Sequence, residues 1–228
     1  NTITEPFTVL MIGTLTSQMQ QDDRKNIVNT IKWVSEEFSD KKDVAILIKT
    51  NFGKGTTEDK RLCTEYLKKV KSVLGLGEYP KIKLLHGNMK TKEVAALYSH
   101  KNIKMYVSAT RGEGYGLPLV EAAASGLPIV VTGWSGHLQF LDKDKIGCVD
   151  YNLKEISESR IDNRIFKKGF RWAEPLEASF KREIRKVYKD HNESKTKAIS
   201  MMKNIQTNFD NTTIKKQYDK LFEGYSKK

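Results

Sequence analysis

The stretch that decides the fold runs from Arg111 to Pro128 and reads RGEGYGLPLVEAAASGLP. Its three alternating glycines, at positions 112, 114 and 116, allow positive φ and let backbone N–H groups approach a ligand closely. Pro118 suits the first turn of a helix, so this segment is expected to end at a helix N-terminus that carries partial positive charge. Such a terminus favours a phosphate group. The pattern therefore predicts a turn that can hold a phosphorylated sugar.

Two glutamates flank this turn, with seven residues between them. Glu113 lies in the turn, and Glu121 is expected about one helical turn into the helix, where the two carboxylates can bind hydroxyl groups on opposite sides of a phosphate. Taken singly, the glycines fit an ordinary strand-to-helix connection and Glu121 fits a solvated helix face. The functional interpretation therefore depends on the run as a whole.

The run resembles the E-x7-E signature of retaining glycosyltransferases with two facing Rossmann-like domains, the GT-B fold, and in particular the GT4 family. The family pattern, roughly E-G-[FY]-G-L-P-x-x-E-A-[MA]-A-x-G-x-P-[VI]-[VI], is met at nearly every position from Glu113 to Val130. The resemblance implies that Glu113 contacts the donor sugar as the catalytic residue and that Glu121 contacts the ribose of the nucleotide. It also implies that the diphosphate and sugar are lined by the turn residues Gly114, Tyr115, Gly116 and Leu117.

Other stretches extend the resemblance across almost the full chain. An apolar run ends at Gly13, and the segment 24–27 (RKNI) matches the family's helix start, which makes Lys25 the expected diphosphate lysine. One position departs from the family, which usually has Arg directly after the strand glycine, where this chain has Thr14. Lys49, at the end of the second apolar run, is expected to supply the missing charge, and an ordinary solvated lysine is the alternative.

Short apolar runs alternate with amphipathic stretches, which is the pattern of a parallel sheet covered by helices on both faces. The predicted fold class is therefore α/β, a Rossmann-like and mainly parallel sheet followed by C-terminal helices, and the resemblance implies one half of a GT-B fold. Strands are expected at 7–13, 44–50, 82–86, 104–108, 128–132 and 147–151. Helices are expected at 24–38, 59–74, 91–99, 118–125, 176–190, 194–207 and 212–225.

Ligands of such folds bind outside the carboxyl ends of the strands. Gly13, Lys49, His86 and Glu113 all stand at or just after predicted strand ends, so we expect them at one edge of the sheet. His86 is placed in the donor site near the nucleotide base, although a structural histidine is the stronger interpretation of this residue alone. His137 follows the fifth strand in a second glycine-containing turn and is expected at the pocket wall.

A single domain is expected for residues 1–228, with a C-terminal helical cap from about residue 172, where the segment 172–175 (WAEP) resembles one in the family. A whole enzyme of this family needs an N-terminal domain that binds the acceptor. No such segment precedes Asn1, and the chain does not start with Met, so the sequence indicates a donor-binding half taken from a longer protein.

Charge and composition narrow the class of partner. The net charge is +12, and residues 154–228 hold 19 Lys and Arg against 11 Asp and Glu. This basic end favours a lysine-rich solvated surface, with peripheral contact to an anionic membrane as the second interpretation. Nucleic-acid binding is not expected, because no recognised module is present. Cys63 and Cys148 have no metal-ligand partners at fitting spacing and are expected to be reduced thiols of a cytoplasmic protein.

Two known phosphate-binding motifs do not match this sequence, because their glycine spacing is not met. A Walker A loop ending at Gly53-Lys54 would require glycine where Ile48 stands, and the third glycine of a dinucleotide fingerprint would fall at Leu117. ATP hydrolysis and NAD binding are therefore not expected, and the resemblance implies a donor site with no cofactor and no metal. It also implies the nucleotide-sugar-binding domain of a retaining hexosyltransferase whose acceptor, a glycan, lipid or protein, binds through a missing domain. A nucleotide-sugar epimerase of related fold and a non-catalytic binding module remain as alternatives.

Overall fold

Six strands form the centre of the molecule, in a computed structural model that describes residues 3–15 and 20–223. The strands are β1 (Phe7–Ile12), β2 (Val44–Thr50), β3 (Lys81–His86), β4 (Ile103–Ser108), β5 (Ile129–Thr132) and β6 (Gly147–Val149). All neighbouring pairs are parallel, and the strand order is β3-β2-β1-β4-β5-β6. This is the order of a Rossmann sheet, so the predicted fold class is confirmed.

Helices cover both faces of the sheet. They are α1 (Ile27–Glu37), α2 (Thr57–Val73), α3 (Thr91–Tyr98), α4 (Leu117–Ala124), α5 (Glu177–Lys189), α6 (His191–Asn208) and α7 (Asn211–Glu223). Successive side chains of a strand point to opposite faces, and β1 shows this clearly. Val9 and Met11 belong to the core that includes residues of α1, α2 and α5, while Leu10 belongs to the core under α3, α4 and α6.

The sixth strand is shorter than predicted. It ends just before Asp150, and the chain then forms β7 (Tyr151–Glu155), which pairs antiparallel with β8 (Arg171–Pro175) in a separate sheet. The cause lies in the backbone of Asp150, whose N–H donates to Ser179 Oγ at 2.9 Å and whose carbonyl accepts the N–H of Leu176 at 2.8 Å. These contacts with the start of α5 turn the chain away from the parallel sheet.

The segment expected to open the helical cap is also a strand. Residues 172–175 lie in β8, and the C-terminal helices begin at Glu177. The cap therefore starts about five residues after residue 172, while its first helix, predicted at 176–190, spans Glu177–Lys189.

The first helix begins at Ile27 rather than at residue 24. The Asp23 carboxylate accepts the backbone N–H groups of Lys25, at 3.0 Å, and of Ile27, at 2.8 Å. Asn26 has φ +54°, which separates the capped loop from the helix. Arg24 and Lys25 consequently lie in a loop before α1, where their side chains reach towards the turn after β4.

Neither a membrane span nor a disulfide is found among the described residues. No helix in 3–15 and 20–223 combines the length and the apolar character that crossing a bilayer requires. Cys63 and Cys148 are both free thiols, the first buried and the second half-buried.

Candidate functional site

The carboxyl ends of β1 to β4 meet at one edge of the sheet, as predicted from the sequence. Gly13 follows β1, Lys49 and His86 lie in the last two residues of β2 and β3, and Glu113 follows β4. A cleft of about 200 Å³ opens at this edge. It is lined by Ile12, Gly13, Thr14, Lys25, Lys49, Thr50, Asn51 and Pro118. The structure therefore brings predicted donor-binding residues from three parts of the chain to the N-terminus of α4.

Glu113 lies in an almost closed ion-pair cluster. Its side chain is 7% exposed, and its two oxygens contact Lys25 Nζ at 2.7 Å and Arg24 Nη1 at 3.1 Å. Burial alone would raise the pKa of Glu113, but the charges and hydrogen bonds of Lys25 and Arg24 lower it below its usual value. The carboxylate is therefore ionised at neutral pH. Arg24 was not predicted as a site residue, although its position next to Lys25 was visible in the sequence.

The turn that carries Glu113 ends at Gly116, which has φ +91° and precedes α4. A Cβ at this position would lie 3.1 Å from Leu119 Cδ1 and 3.3 Å from His137 Cβ, so glycine is required by both conformation and space. Pro118 occupies the first turn of α4, where its missing N–H leaves no hydrogen bond unmade. Pro118 also lines the cleft, so the N-terminus of α4, with the partial positive charge of the helix dipole, lies beside it and is suited to an anion.

A second turn supports the backbone of Glu113. Ser135 Oγ accepts the N–H of Glu113 at 3.0 Å and donates to its carbonyl at 2.7 Å, and Gly136 N–H donates to the same carbonyl at 3.1 Å. A Cβ on Gly136 would lie 1.9 Å from the carbonyl oxygen of Gly114. The two turns are therefore in direct backbone contact, which fixes the position of Glu113. The sequence predicted this second glycine-containing turn after the fifth strand, but not its contacts with Glu113.

The two histidines near the edge have buried side chains. His86 Nε2 lies 2.6 Å from Asp59 Oδ2, and its side chain is 4% exposed, so the ring points towards α2. A contact between His86 and the donor nucleotide stays a prediction. Since the ring points towards α2, such a contact would come from the His86 backbone. His137 Nε2 lies 2.8 Å from the carbonyl oxygen of Thr132, and burial lowers the pKa of this ring, which keeps it neutral.

The remaining predicted charged residues, Lys49 and Glu121, each make one side-chain hydrogen bond within the described residues. Lys49 Nζ donates to the carbonyl of Gly87 at 3.3 Å and remains half-buried in the cleft wall. Glu121 is exposed, and its Oε2 accepts a hydrogen bond from the buried Tyr98 hydroxyl at 3.1 Å. Tyr98 thus orients Glu121. The sequence did not single out this tyrosine because α3 contains no motif.

Arg111 is a buried residue that joins three parts of the site. Its guanidinium makes two hydrogen bonds to the Glu174 carboxylate, at 2.7 and 2.9 Å. It also donates to the carbonyls of Gln20 and Asp23, both at 2.8 Å. Arg111 therefore ties β8 to the loop that carries Lys25.

Larger cavities lie elsewhere on the surface. One of about 500 Å³ is lined mainly by α2 and includes Tyr66 and Val70, and one of about 520 Å³ lies between β6 and the α5–α6 region near Lys186. A shallow third, of about 330 Å³, lies on the outer face of α2 near Arg61. None of the three combines cations with a helix N-terminus and the motif turn. The cleft at the carboxyl edge is therefore the candidate site.

Solved structures share this architecture. The C-terminal domain of a glycosyl transferase group 1 family protein (LpcC) from Francisella tularensis aligns with a TM-score of 0.59 and 16% identity, over 89% of this chain and 86% of that chain. Alr3699/HepE from Anabaena, solved in complex with UDP and glucose, aligns with a TM-score of 0.65 and 15% identity, over 96% of this chain and 48% of that chain. At this level of identity, the likeness establishes the fold.

Sequence comparison adds the family. The UDP-N-acetylglucosamine–peptide N-acetylglucosaminyltransferase GtfA subunit of Streptococcus gordonii is 30% identical over 117 residues, which are 50% of this chain and 19% of that protein. The chain thus matches a small part of that relative's length. Residues 65–200, more than half of the chain, match the family described as glycosyl transferases group 1. The chain therefore belongs to the group 1 glycosyl transferases, and its sheet is one Rossmann-like half of a GT-B fold.

Proposed function

We propose that this chain is the donor-binding domain of a retaining, GT4-type glycosyltransferase that takes a hexose from a nucleotide-diphosphate sugar. One observation carries the proposal: Lys25, Lys49 and the N-terminus of α4 converge on a cleft beside Glu113. A uridine nucleotide is the favoured donor. It is supported by the substrate in the GtfA relative's name and by the UDP and glucose in the HepE complex.

The diphosphate would be held without a metal ion. Lys25 has three N–H donors, so it can keep its contact with Glu113 while it binds a phosphate oxygen. The N-terminus of α4 adds the partial positive charge of the helix dipole, and Gly13 allows close approach of the backbone next to Thr14. Lys49 is the second cation of the cleft. Fixed donors of this kind stabilise the negative charge that develops on the leaving diphosphate as the sugar–oxygen bond breaks.

The two glutamates would have different partners. Glu113, ionised and held by Lys25 and Arg24, accepts hydrogen bonds from sugar hydroxyls and stabilises positive charge that develops at the anomeric carbon. Glu121 accepts from the ribose hydroxyls, with its carboxylate oriented by Tyr98. Glu113 would therefore affect mainly turnover, and Glu121 mainly nucleotide affinity.

Transfer would also require an acceptor-binding domain outside this chain. Correct positioning of two reactants accounts for roughly 7–11 kcal/mol of barrier lowering. The chain by itself should therefore bind the donor and transfer sugar very slowly. A turnover of about 10 per second, typical of complete enzymes, from the 228-residue chain would contradict this assignment.

Calorimetric titration of the chain with UDP, GDP and ADP, each with and without EDTA, tests the donor assignment. UDP should bind most tightly, and EDTA should not change its affinity. Absence of binding by all three nucleotides would contradict a donor site. Binding of UDP-sugars without any turnover by the whole protein, including its acceptor domain, would favour a non-catalytic binding module instead.

A further inference from the structure

A second cluster of reactive side chains lies behind the cleft, between α2 and β3. Asp59 and Cys63 are four residues apart on one face of α2, and His86 is the last residue of β3. One carboxylate oxygen, the thiol sulfur and one ring nitrogen all lie within 4.8 Å of one another. The side chains of Asp59 and His86 are 7% and 4% exposed, and Cys63 is fully buried.

These three groups form a recognisable ligand set. A thiolate sulfur, an imidazole nitrogen and a carboxylate oxygen are the ligands that Zn²⁺ takes in proteins, commonly in tetrahedral geometry. Mg²⁺ and Ca²⁺ prefer sets made of oxygen alone, so the presence of Cys63 and His86 argues against them. The spacing also suits a shared ligand, because residues four apart on a helix point in the same direction.

We propose that Asp59, Cys63 and His86 bind one Zn²⁺ ion. Thr50 is the register partner of His86 on the adjacent strand, and it is 4% exposed. Its buried hydroxyl has no hydrogen-bond partner in the part of the chain that the structure describes. This hydroxyl is the group that would hold a water molecule in the fourth position of the metal.

The existing contacts of Asp59 fit this role. The N–H of Phe52 donates to both carboxylate oxygens, at 3.2 and 3.3 Å, and so orients the carboxylate. Outer hydrogen bonds of this kind hold metal ligands in place. Zn²⁺ would replace the hydrogen bond between Asp59 and His86. Burial raises the pKa of the Cys63 thiol. The sulfur–metal bond would form as the thiol proton is released to solvent.

The ion would act on the structure rather than on the donor. None of its three protein ligands lines the cleft, although Thr50 does. His86 precedes Gly87, however, and the carbonyl of Gly87 accepts the hydrogen bond from Lys49. Zn²⁺ would therefore anchor the end of β3 where it borders the donor site.

Titration of the metal-free chain with Co²⁺ is the direct test, because Co²⁺ reports thiolate ligation by a charge-transfer absorption band. We expect this band at one equivalent of Co²⁺, its loss when Zn²⁺ is added, and a higher melting temperature with Zn²⁺. Cys63→Ser should abolish the band. Loss of an outer hydrogen-bond partner of a metal ligand lowers metal affinity roughly 10- to 100-fold. Because Cys63 would bind the metal directly, Cys63→Ser should lower Zn²⁺ affinity by at least as much.

Cys148→Ser is the matched control, since Cys148 is the other free thiol and lies outside the cluster. This variant should keep the band and the shift in melting temperature. His86→Gln gives a second test that leaves the thiol intact, and it should weaken Zn²⁺ binding. The proposal is overturned if the wild-type chain shows no thiolate–cobalt band, or if Cys63→Ser and His86→Gln bind Zn²⁺ as tightly as the wild type.

Discussion

Glu174 binds the guanidinium of Arg111 through two parallel hydrogen bonds, of 2.7 and 2.9 Å. The pair connects β8 with the turn before Glu113, and Arg111 continues the connection to the loop that carries Lys25 through the carbonyls of Gln20 and Asp23. The glycosyltransferase motif is thus held in position by β8, which lies about 60 residues away from it in the sequence.

Glu174→Gln should destabilise the protein and loosen the donor site together. Loss of one partner of a fully buried pair costs about 3–5 kcal/mol, and roughly 2–3 kcal/mol is expected here because the Glu174 side chain is 27% exposed. Glu155→Gln is the control, since Glu155 contacts Arg171 at 4.0 Å on the surface and should cost less than about 1 kcal/mol. Urea unfolding measures both, and equal losses would argue against the bracing role.

Lys25→Ala should weaken UDP binding, because a charge-assisted hydrogen bond to the diphosphate is lost. Such a contact contributes roughly 1.5–3 kcal/mol, which corresponds to about 10- to 150-fold in affinity. Thr14→Ala removes no charge and should change affinity little. Lys68→Ala, on the exposed face of α2, controls for net charge. Calorimetry that gives the same affinity for Lys25→Ala and wild type would remove Lys25 from the site.

The two motif glutamates should separate affinity from turnover. Glu121→Ala is expected to weaken UDP itself, by roughly 1.5–3 kcal/mol for a charged acceptor. Tyr98→Phe should have a smaller effect in the same direction, since it removes only the hydroxyl that orients Glu121. Glu113→Gln should leave UDP affinity nearly unchanged and lower the turnover of the full-length enzyme. Equal loss of UDP binding in Glu113→Gln and Glu121→Ala would refute these roles.

The pair of Glu5 and Lys83 should make stability depend on pH in the acid range. Burial alone would raise the pKa of Glu5, but its contacts with Lys83 and Thr4 lower it from 4.5 to about 2. A carboxyl group with a lowered pKa in the folded state stabilises the protein above pH 4.5, and this contribution is lost as the pH falls towards 2. Wild type should therefore have a higher free energy of unfolding than Glu5→Gln above pH 4.5. This difference should shrink as the pH is lowered towards 2. A difference that stays constant or grows on acidification would contradict the pairing.

The sheet and its functional edge could be predicted from the sequence because both follow from local patterns. Apolar runs that alternate with amphipathic helices indicate a parallel sheet, and a parallel sheet brings all carboxyl ends to one edge. Gly13 and Glu113, 100 residues apart, lie at the same edge for this reason. The motif turn and its helix were likewise predictable, since Gly116 and Pro118 specify them locally.

Contacts between distant segments could not be predicted in this way. Arg111 stands beside a glycine in a polar stretch, which is typical of an exposed residue, yet it is buried because its partners come from residues 20–23 and 174. The direction of the His86 ring depends on Asp59, which belongs to another helix. The end of β6 depends on Ser179 in the same manner. In each case, the deciding partner is brought close only by the complete fold.

The close approach of Gly136 to the carbonyl of Gly114 has a consequence for grafting this site onto other scaffolds. With 1.9 Å between that oxygen and the position of any Cβ on residue 136, the two turns form a single interlocked unit. If residues 111–118 alone were transplanted, a side chain of the new scaffold at the position of Gly136 would clash with the carbonyl of Gly114. Chimeras between relatives should therefore exchange both turns together, and a recombination point between them would break the unit even where each half comes from a working parent.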